Sequence, residues 1–221
     1  VDPPDQNSPE EGALRRVFIH VGAPKTGTTY LQQLMTNNAA ALAETGGIHV
    51  AGRMYGQHHA ALDLRGIPPA PGEDPARVGS WNRMADRLVA SGRDGVVSTE
   101  LLAWAAEHDV ERARESLAGL EMHVMFTMRD LGRQIPALWQ EEVKNGSKLT
   151  YDAFLDALFD PAKPMGPGDV WVGQDPRIAL RWWADDLDPA RVHIITIPAA
   201  GSDPRTLWRR FSQVLGIDAD A

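Results

Sequence analysis

The sequence predicts an α/β fold, a three-layer arrangement of a parallel sheet flanked by helices. Three observations point there. Four short runs are apolar or β-branched at nearly every position, which is the pattern of strands buried on both faces. Stretches with helical spacing separate these runs, as parallel neighbours require. The first run also enters a glycine-containing turn that leads directly into a helix. A chain of 221 residues suits one large domain better than two small ones, and that domain is expected over residues 14–221.

Taken in order, residues 1–12 (VDPPDQNSPEEG) carry three prolines and four acids and almost nothing to bury, so residues 1–13 are expected to be a disordered leader. Residues 16–21 (RVFIHV) read as a strand, and GAPKTG follows as a loop. From 28 to 44, Tyr30, Leu31, Leu34, Met35, Ala39 and Leu42 recur at helical spacing until Gly46 and Gly47 stop the helix. Residues 48–75 have a poor pattern and end in the turn-rich IPPAPGEDP. A helix is expected over 76–90, a strand over 95–99, and two short helical stretches over 101–107 and 110–117. Residues 122–128 (MHVMFTM) form the third strand, with Arg129 and Asp130 at its carboxyl end. Helices follow over 132–144 and 151–159, the second capped by Thr150 or Asp152. Residues 161–169 read as a loop long enough for a lid, or a plain connection. The chain then predicts a helix over 177–185, a strand over 191–197 (RVHIITI) and an amphipathic helix over 205–215 that ends at Gly216.

Composition narrows the partners. With 22 Lys and Arg against 30 Asp and Glu, the formal charge is −8, and the average field disfavours nucleic acid, anionic membranes and long polyanions. It leaves room for a local anion site. The chain has no cysteine, which removes disulfides, thiolate nucleophiles and cysteine zinc sites and fits a cytoplasmic location. No apolar run approaches the roughly 20 residues of a membrane span, and residues 1–11 lack the pattern of a signal peptide. Oligomerisation is left open.

In α/β sheets ligands gather beyond the carboxyl ends of the strands. Three such ends are polar: residues 25–29, 98–100 and 129–133. The first carries the most information. Gly22, Ala23, Pro24, Lys25, Thr26, Gly27, Thr28 and Thr29 join a buried strand to a helix N-terminus, where unpaired amides and the helix dipole suit a phosphate. Gly22 and Gly27 permit close backbone approach, Lys25 adds a charge, and the threonines add hydroxyl donors. The spacing departs from the nucleotide-triphosphate loop GxxxxGK[ST], because Thr28 stands where its lysine belongs.

Pro24, Lys25, Thr26, Gly27, Thr28 and Thr29 resemble the 5′-phosphosulfate loop of the sulfotransferases. These proteins have a P-loop NTPase-like core and bind 3′-phosphoadenosine-5′-phosphosulfate (PAPS) through PKTGTT or PKSGTT. The resemblance implies that Lys25 contacts the 5′-phosphate and the bridging oxygen of the sulfuryl group, and that residues 26–29 hold the 5′-phosphate. The family also carries an arginine followed eight positions on by a serine, often within RDPxxRxxS, for the 3′-phosphate. Arg129 and Asp130 match this second motif. Leu131 replaces its proline, the inner arginine is Arg133 one place early, and Ala137 replaces the serine. Arg129 and Arg133 are therefore the expected 3′-phosphate residues, without the serine. The family's late RKGxxGxWK-like loop has no counterpart before Ala221. The phrases VGAPKTGTTYLQ and RDLGRQIPALWQEEVK also resemble short actinobacterial members.

Transfer of a sulfuryl group needs in-line attack, charge stabilisation and a base for the acceptor proton. By resemblance, the base is expected at the strand end before the 3′-phosphate strand, which points to Glu100; the competing role for Glu100 is a charge at a helix N-terminus. His58 and His59, expected in an irregular segment, are the alternative base or substrate contacts, and no third ligand at metal spacing accompanies them. His20 and His193 read as core or strand-face residues. The tryptophans 81, 104, 139, 171, 182 and 183 read mainly as core, with Trp139 placed to join an aromatic acceptor pocket. The expected activity is PAPS-dependent transfer of a sulfuryl group to a hydroxyl or amine of a small neutral or cationic molecule, with no metal. The alternatives are a non-catalytic anion-binding relative and a P-loop small-molecule kinase, for which Asp130 is a poor magnesium ligand.

Overall fold

The computed structural model describes residues 14–160, 162 and 170–220. The expected leader and the 161–169 loop, apart from Ala162, lie outside the described residues. Strands β1 (Arg16–His20), β2 (Ile48–Val50), β3 (Asp94–Ser98), β4 (Glu121–Met128) and β5 (Val192–Thr196) form one sheet in the order β2-β3-β1-β4-β5. Every pairing is parallel, and the register sets His20 beside Ser98 on one side and Met125 on the other. The helices are α1 (Thr28–Asn37), α2 (Ala39–Glu44), α3 (Met54–Leu64), α4 (Ser80–Ala90), α5 (Glu107–Ser116), α6 (Leu131–Lys144), α7 (Tyr151–Leu158), α8 (Val170–Gln174), α9 (Pro176–Ala179) and α10 (Thr206–Leu215).

Strand alternation builds the three layers. Val17, Ile19, Val97, Val124 and Phe126 point to the face covered by α3, α4 and α5, where Trp81 and Trp183 are fully buried. Phe18, Val96, Met125 and Ile195 point to the opposite face, under Leu31 and Met35 of α1 and Phe211 and Leu215 of α10. A third cluster, around Ile135, Leu138, Phe154 and Leu158, joins α6 to α7.

Helix α8 is not among the expected elements, and the helical stretch expected over 101–107 is a 3-10 turn, Glu100–Trp104. Four further differences have a local reason. The helix expected over 28–44 is divided at Asn38, whose side-chain amide donates to Leu34 O at 2.8 Å while its backbone leaves helical geometry. Residues 48–75 hold β2 and α3. Three residues are too few to show a period, and α3 buries Gln57, Ala60, Ala61 and Leu64, so its inward face is masked by a glutamine and two alanines. The helix expected from 76 starts at Ser80, after Gly79 adopts the left-handed conformation. The helix expected over 177–185 ends at Ala179, and the chain then turns so that the buried Trp183 indole N–H donates to Leu102 O at 2.8 Å.

Candidate active site

The 22–29 loop lies where β1 meets α1, at the carboxyl edge of the sheet. Gly27 caps α1 in the left-handed conformation (φ 79°), with no side-chain cap. Lys25 also has positive φ (67°). Among the described residues, the amides of residues 26–29 have no hydrogen-bond acceptor, so they are available to an anion. Both glycines have positive φ, which favours glycine, and Gly22 is crowded as well. A Cβ on Gly22 would lie 2.7 Å from Thr28 Cγ2 and 2.9 Å from His20 Nε2, and one on Gly27 would lie 2.8 Å from Leu207 Cδ2. The Pro24 carbonyl accepts from Gln134 Nε2 at 2.6 Å and Gln174 Nε2 at 3.3 Å, which ties the loop to α6 and α8.

Beneath the loop runs a buried chain of polar side chains. His20 Nδ1 is 2.7 Å from Ser98 Oγ on β3, and its Nε2 is 3.2 Å from Thr127 Oγ1 on β4. Thr127 Oγ1 is 2.6 Å from Thr26 Oγ1, which donates to Ala23 O at 2.5 Å. His20, Ser98, Thr26 and Thr127 are buried. Burial pushes the His20 pKa down to about 3. His20 is thus a core residue, as its place in the first strand predicts, but one with both ring nitrogens engaged.

Glu100 opens a short 3-10 turn, Glu100–Trp104, immediately after β3 and Thr99. Gln32 of α1 donates to both Ser98 O at 3.0 Å and Glu100 Oε2 at 3.2 Å. Thr29, Gln32, Met54, Tyr55, His58, Thr99 and Glu100 line one cavity of about 260 Å³. His58 and His59 therefore sit on helix α3, not in an irregular segment, and α3 presents them differently. His58 lines the cavity, whereas the His59 ring packs on Tyr55 with centroids 4.1 Å apart and is not part of that lining. Burial lowers the His58 pKa, against the opposing pull of the Glu100 carboxylate.

A second cavity, of about 590 Å³, lies beyond the ends of β4 and β5. Ala23, Arg129, Arg133, Gln134, Gln174 and Ile197 are among its lining residues. Asp130 caps α6, accepting from the Arg133 amide at 3.0 Å, and also pairs with the Arg133 guanidinium at 2.6 Å. Arg129 Nε donates to Gln134 Oε1 at 3.0 Å and its terminal nitrogen to Arg133 O at 3.1 Å. Gln134 also donates to Gln174 Oε1 at 2.7 Å, so one hydrogen-bonded path runs from Arg129 to the Pro24 carbonyl. Lys25 is not among the lining residues of either cavity, and its ammonium is 3.1 Å from Glu141 Oε2 on α6. That pairing holds the Glu141 carboxyl below the ordinary range. Trp139, expected near an acceptor, packs instead edge-on to Tyr151 and donates to Leu149 O. The glutamines at 32, 57, 134 and 174 escaped the sequence reading. The available signal was a polar residue at a position whose helical spacing predicts burial.

No protein-family model and no curated protein matches the chain. Among solved structures, the crystal structure of a sulfotransferase from Alicyclobacillus acidocaldarius is similar at a TM-score of 0.59 and 15% identity, covering 95% of this chain and 84% of that one. The fold is sulfotransferase-like. The sulfotransferase domain from the curacin biosynthetic pathway is similar at a TM-score of 0.47 and 14% identity, covering 93% of this chain and 75% of that one. In this sulfotransferase-like fold, among the described residues, no helix is long and apolar enough to cross a membrane, and no group of three or more His, Asp or Glu residues is placed to hold a metal ion.

Proposed function

We propose that the protein transfers a sulfuryl group from PAPS to a hydroxyl or amine of a small-molecule acceptor. The observation that supports this best is the cavity that brings Thr29 of the phosphate loop together with Glu100 and His58. An anion site and two proton acceptors thus border one small space, as in-line transfer with base assistance requires. The free amides of residues 26–29 fit a 5′-phosphate, and Arg129 and Arg133 border the neighbouring cavity, where a 3′-phosphate would face them.

PAPS supplies the sulfuryl group, whose sulfur gains a bond to the acceptor oxygen or nitrogen as its bond to the 5′-phosphate oxygen breaks. On the protein side, Lys25 exchanges Glu141 for the anion and offsets charge at the bridging oxygen. An exposed ion pair of this kind is weak, so the exchange is inexpensive. Glu100, oriented by Gln32, takes the acceptor proton. His58, held neutral by burial near neutral pH, is the second proton acceptor in the same cavity. Calorimetric titration with PAP (the desulfated product nucleotide), PAPS, ADP and ATP with magnesium tests the reading. Binding of PAP and PAPS in preference to ADP is expected, and preference for ATP with magnesium, or no binding of PAP by folded protein, refutes it.

A second reading, a non-catalytic nucleotide or anion-binding protein, is favoured by Ala137 and by the Lys25–Glu141 pair. An alanine donates nothing to a phosphate. In a working enzyme Ala137→Ser tightens PAP binding; in a non-catalytic descendant it restores little. Turnover of PAPS to PAP in the presence of acceptor decides between the two.

A further inference from the structure

We infer that His20 is a positioning residue that, in its Nε2–H form, directs a single chain of hydrogen bonds from Ser98 through Thr127 to Thr26 and so fixes the phosphate loop from beneath. Proton counting carries the argument. Thr26 has one hydroxyl hydrogen, and it goes to Ala23 O at 2.5 Å, so Thr26 Oγ1 can only accept from Thr127 at 2.6 Å. Thr127 has then spent its own hydrogen and must accept from His20 Nε2 at 3.2 Å. His20 Nε2 therefore carries a proton. A buried imidazole with no carboxylate partner is neutral, which leaves Nδ1 as an acceptor for the Ser98 hydroxyl at 2.7 Å. Every donor in the chain has one acceptor, and no other neutral tautomer satisfies all four contacts.

The chain joins three strands to the loop. Ser98 is the last residue of β3, two before Glu100, and its carbonyl holds Gln32, which also holds Glu100. The ring is also the surface over which the loop turns, because a Cβ on Gly22 would meet Nε2. Proton acceptor and phosphate loop are thus located by the same imidazole. The positions of the loop amides follow from these contacts alone; their consequence for nucleotide binding rests on the proposed function.

Two measurements test this. Imidazole ¹⁵N correlation spectra of the whole protein at pH 7 are expected to give the Nε2–H pattern for His20; the Nδ1–H pattern or an imidazolium overturns the inference. Thr127→Val keeps the side-chain shape but strands His20 Nε2–H, so PAP affinity is expected to fall about tenfold or more, with Thr127→Ser close to wild type. Equal PAP affinity for folded Thr127→Val and wild type overturns it. If wild type binds no PAP, the sulfuryl-transfer reading fails separately. The amide shifts of residues 26–29 then decide, displaced in Thr127→Val but not in Thr127→Ser if the inference holds, and coincident in all three if it does not.

Discussion

Acid should destabilise this protein through His20. The folded pKa is about 3 and the ordinary value is 6.5, because burial disfavours the charged ring. As pH falls below 6.5, the unfolded chain takes up a proton that the folded chain refuses. The stability present above pH 6.5 is therefore lost progressively as pH falls towards 3. Each pH unit in that window costs about 1.4 kcal/mol. The loss is about 2 kcal/mol at pH 5 and approaches about 5 kcal/mol near pH 3, a large share of the roughly 5–15 kcal/mol by which domains are stable. His49, His58 and His193 are also lowered by burial and add to the wild-type slope. The assay is urea unfolding of wild type and His20→Gln at pH 7, 6 and 5. The variant is expected to be less stable at pH 7 but to lose about one proton's worth less per pH unit. Equal slopes, or protonation of wild-type His20 near pH 6 by NMR, would show that the buried ring accepts charge and refute the reasoning.

Other perturbations have equally direct outcomes. Gly22→Ala places a Cβ between Thr28 and His20 at a positive φ, so thermal unfolding should show a loss of about 2 kcal/mol or more, together with weaker PAP binding by calorimetry. Glu141→Gln releases the Lys25 ammonium and removes a negative charge of α6 beside the loop, so PAP should bind a few-fold more tightly, with the gain fading at high salt. Asp63 accepts from the amides of Gly79 and Trp81 and from Arg112, so Asp63→Ala should cost about 2–3 kcal/mol in chemical unfolding by leaving these donors unpaired. Glu100→Gln should abolish most sulfuryl transfer while leaving PAP affinity within a few-fold of wild type, measured on the same protein.

Much of this fold is legible because its central strands are continuous apolar runs. Val17–Ile19, Val96–Val97 and Val124–Phe126 are fully buried, and the sequence marks each with residues suited to nothing else. The loop is legible for a different reason, since glycines and a lysine at a strand-to-helix junction carry a conformational requirement. What escapes is held by polar side chains acting as structure. Gln57 occupies an inward position on α3 and accepts from the Ser98 amide at 2.7 Å, so the helix lacks the apolar stripe that announces one. Gln134 and Gln174 are invisible for the same reason, because they bond a loop carbonyl and each other, and Gln134 also accepts from Arg129. The Lys25–Glu141 contact joins residues 116 positions apart, and no local spacing encodes it. His58 and Glu100 were each legible as candidate proton acceptors, but their meeting in one cavity depends on α3, the helix that the pattern concealed.

The polar chain beneath the loop has a consequence for the order of folding. All the residues of the 22–29 loop have been synthesised by Thr29, yet its foundation is assembled from distant parts. Thr26 finds Thr127 across 101 positions, and His20 finds Ser98 across 78. A ribosome building this chain has therefore completed the loop long before it makes β3 and β4, which flank β1. Parallel pairing of this range is slow because loop closure precedes any contact that repays it. The nascent loop lacks the contacts from Ser98 and Thr127 that support it in the folded chain. Ligand-binding competence should appear only after residue 127 has left the exit tunnel, late relative to the motif that announces it.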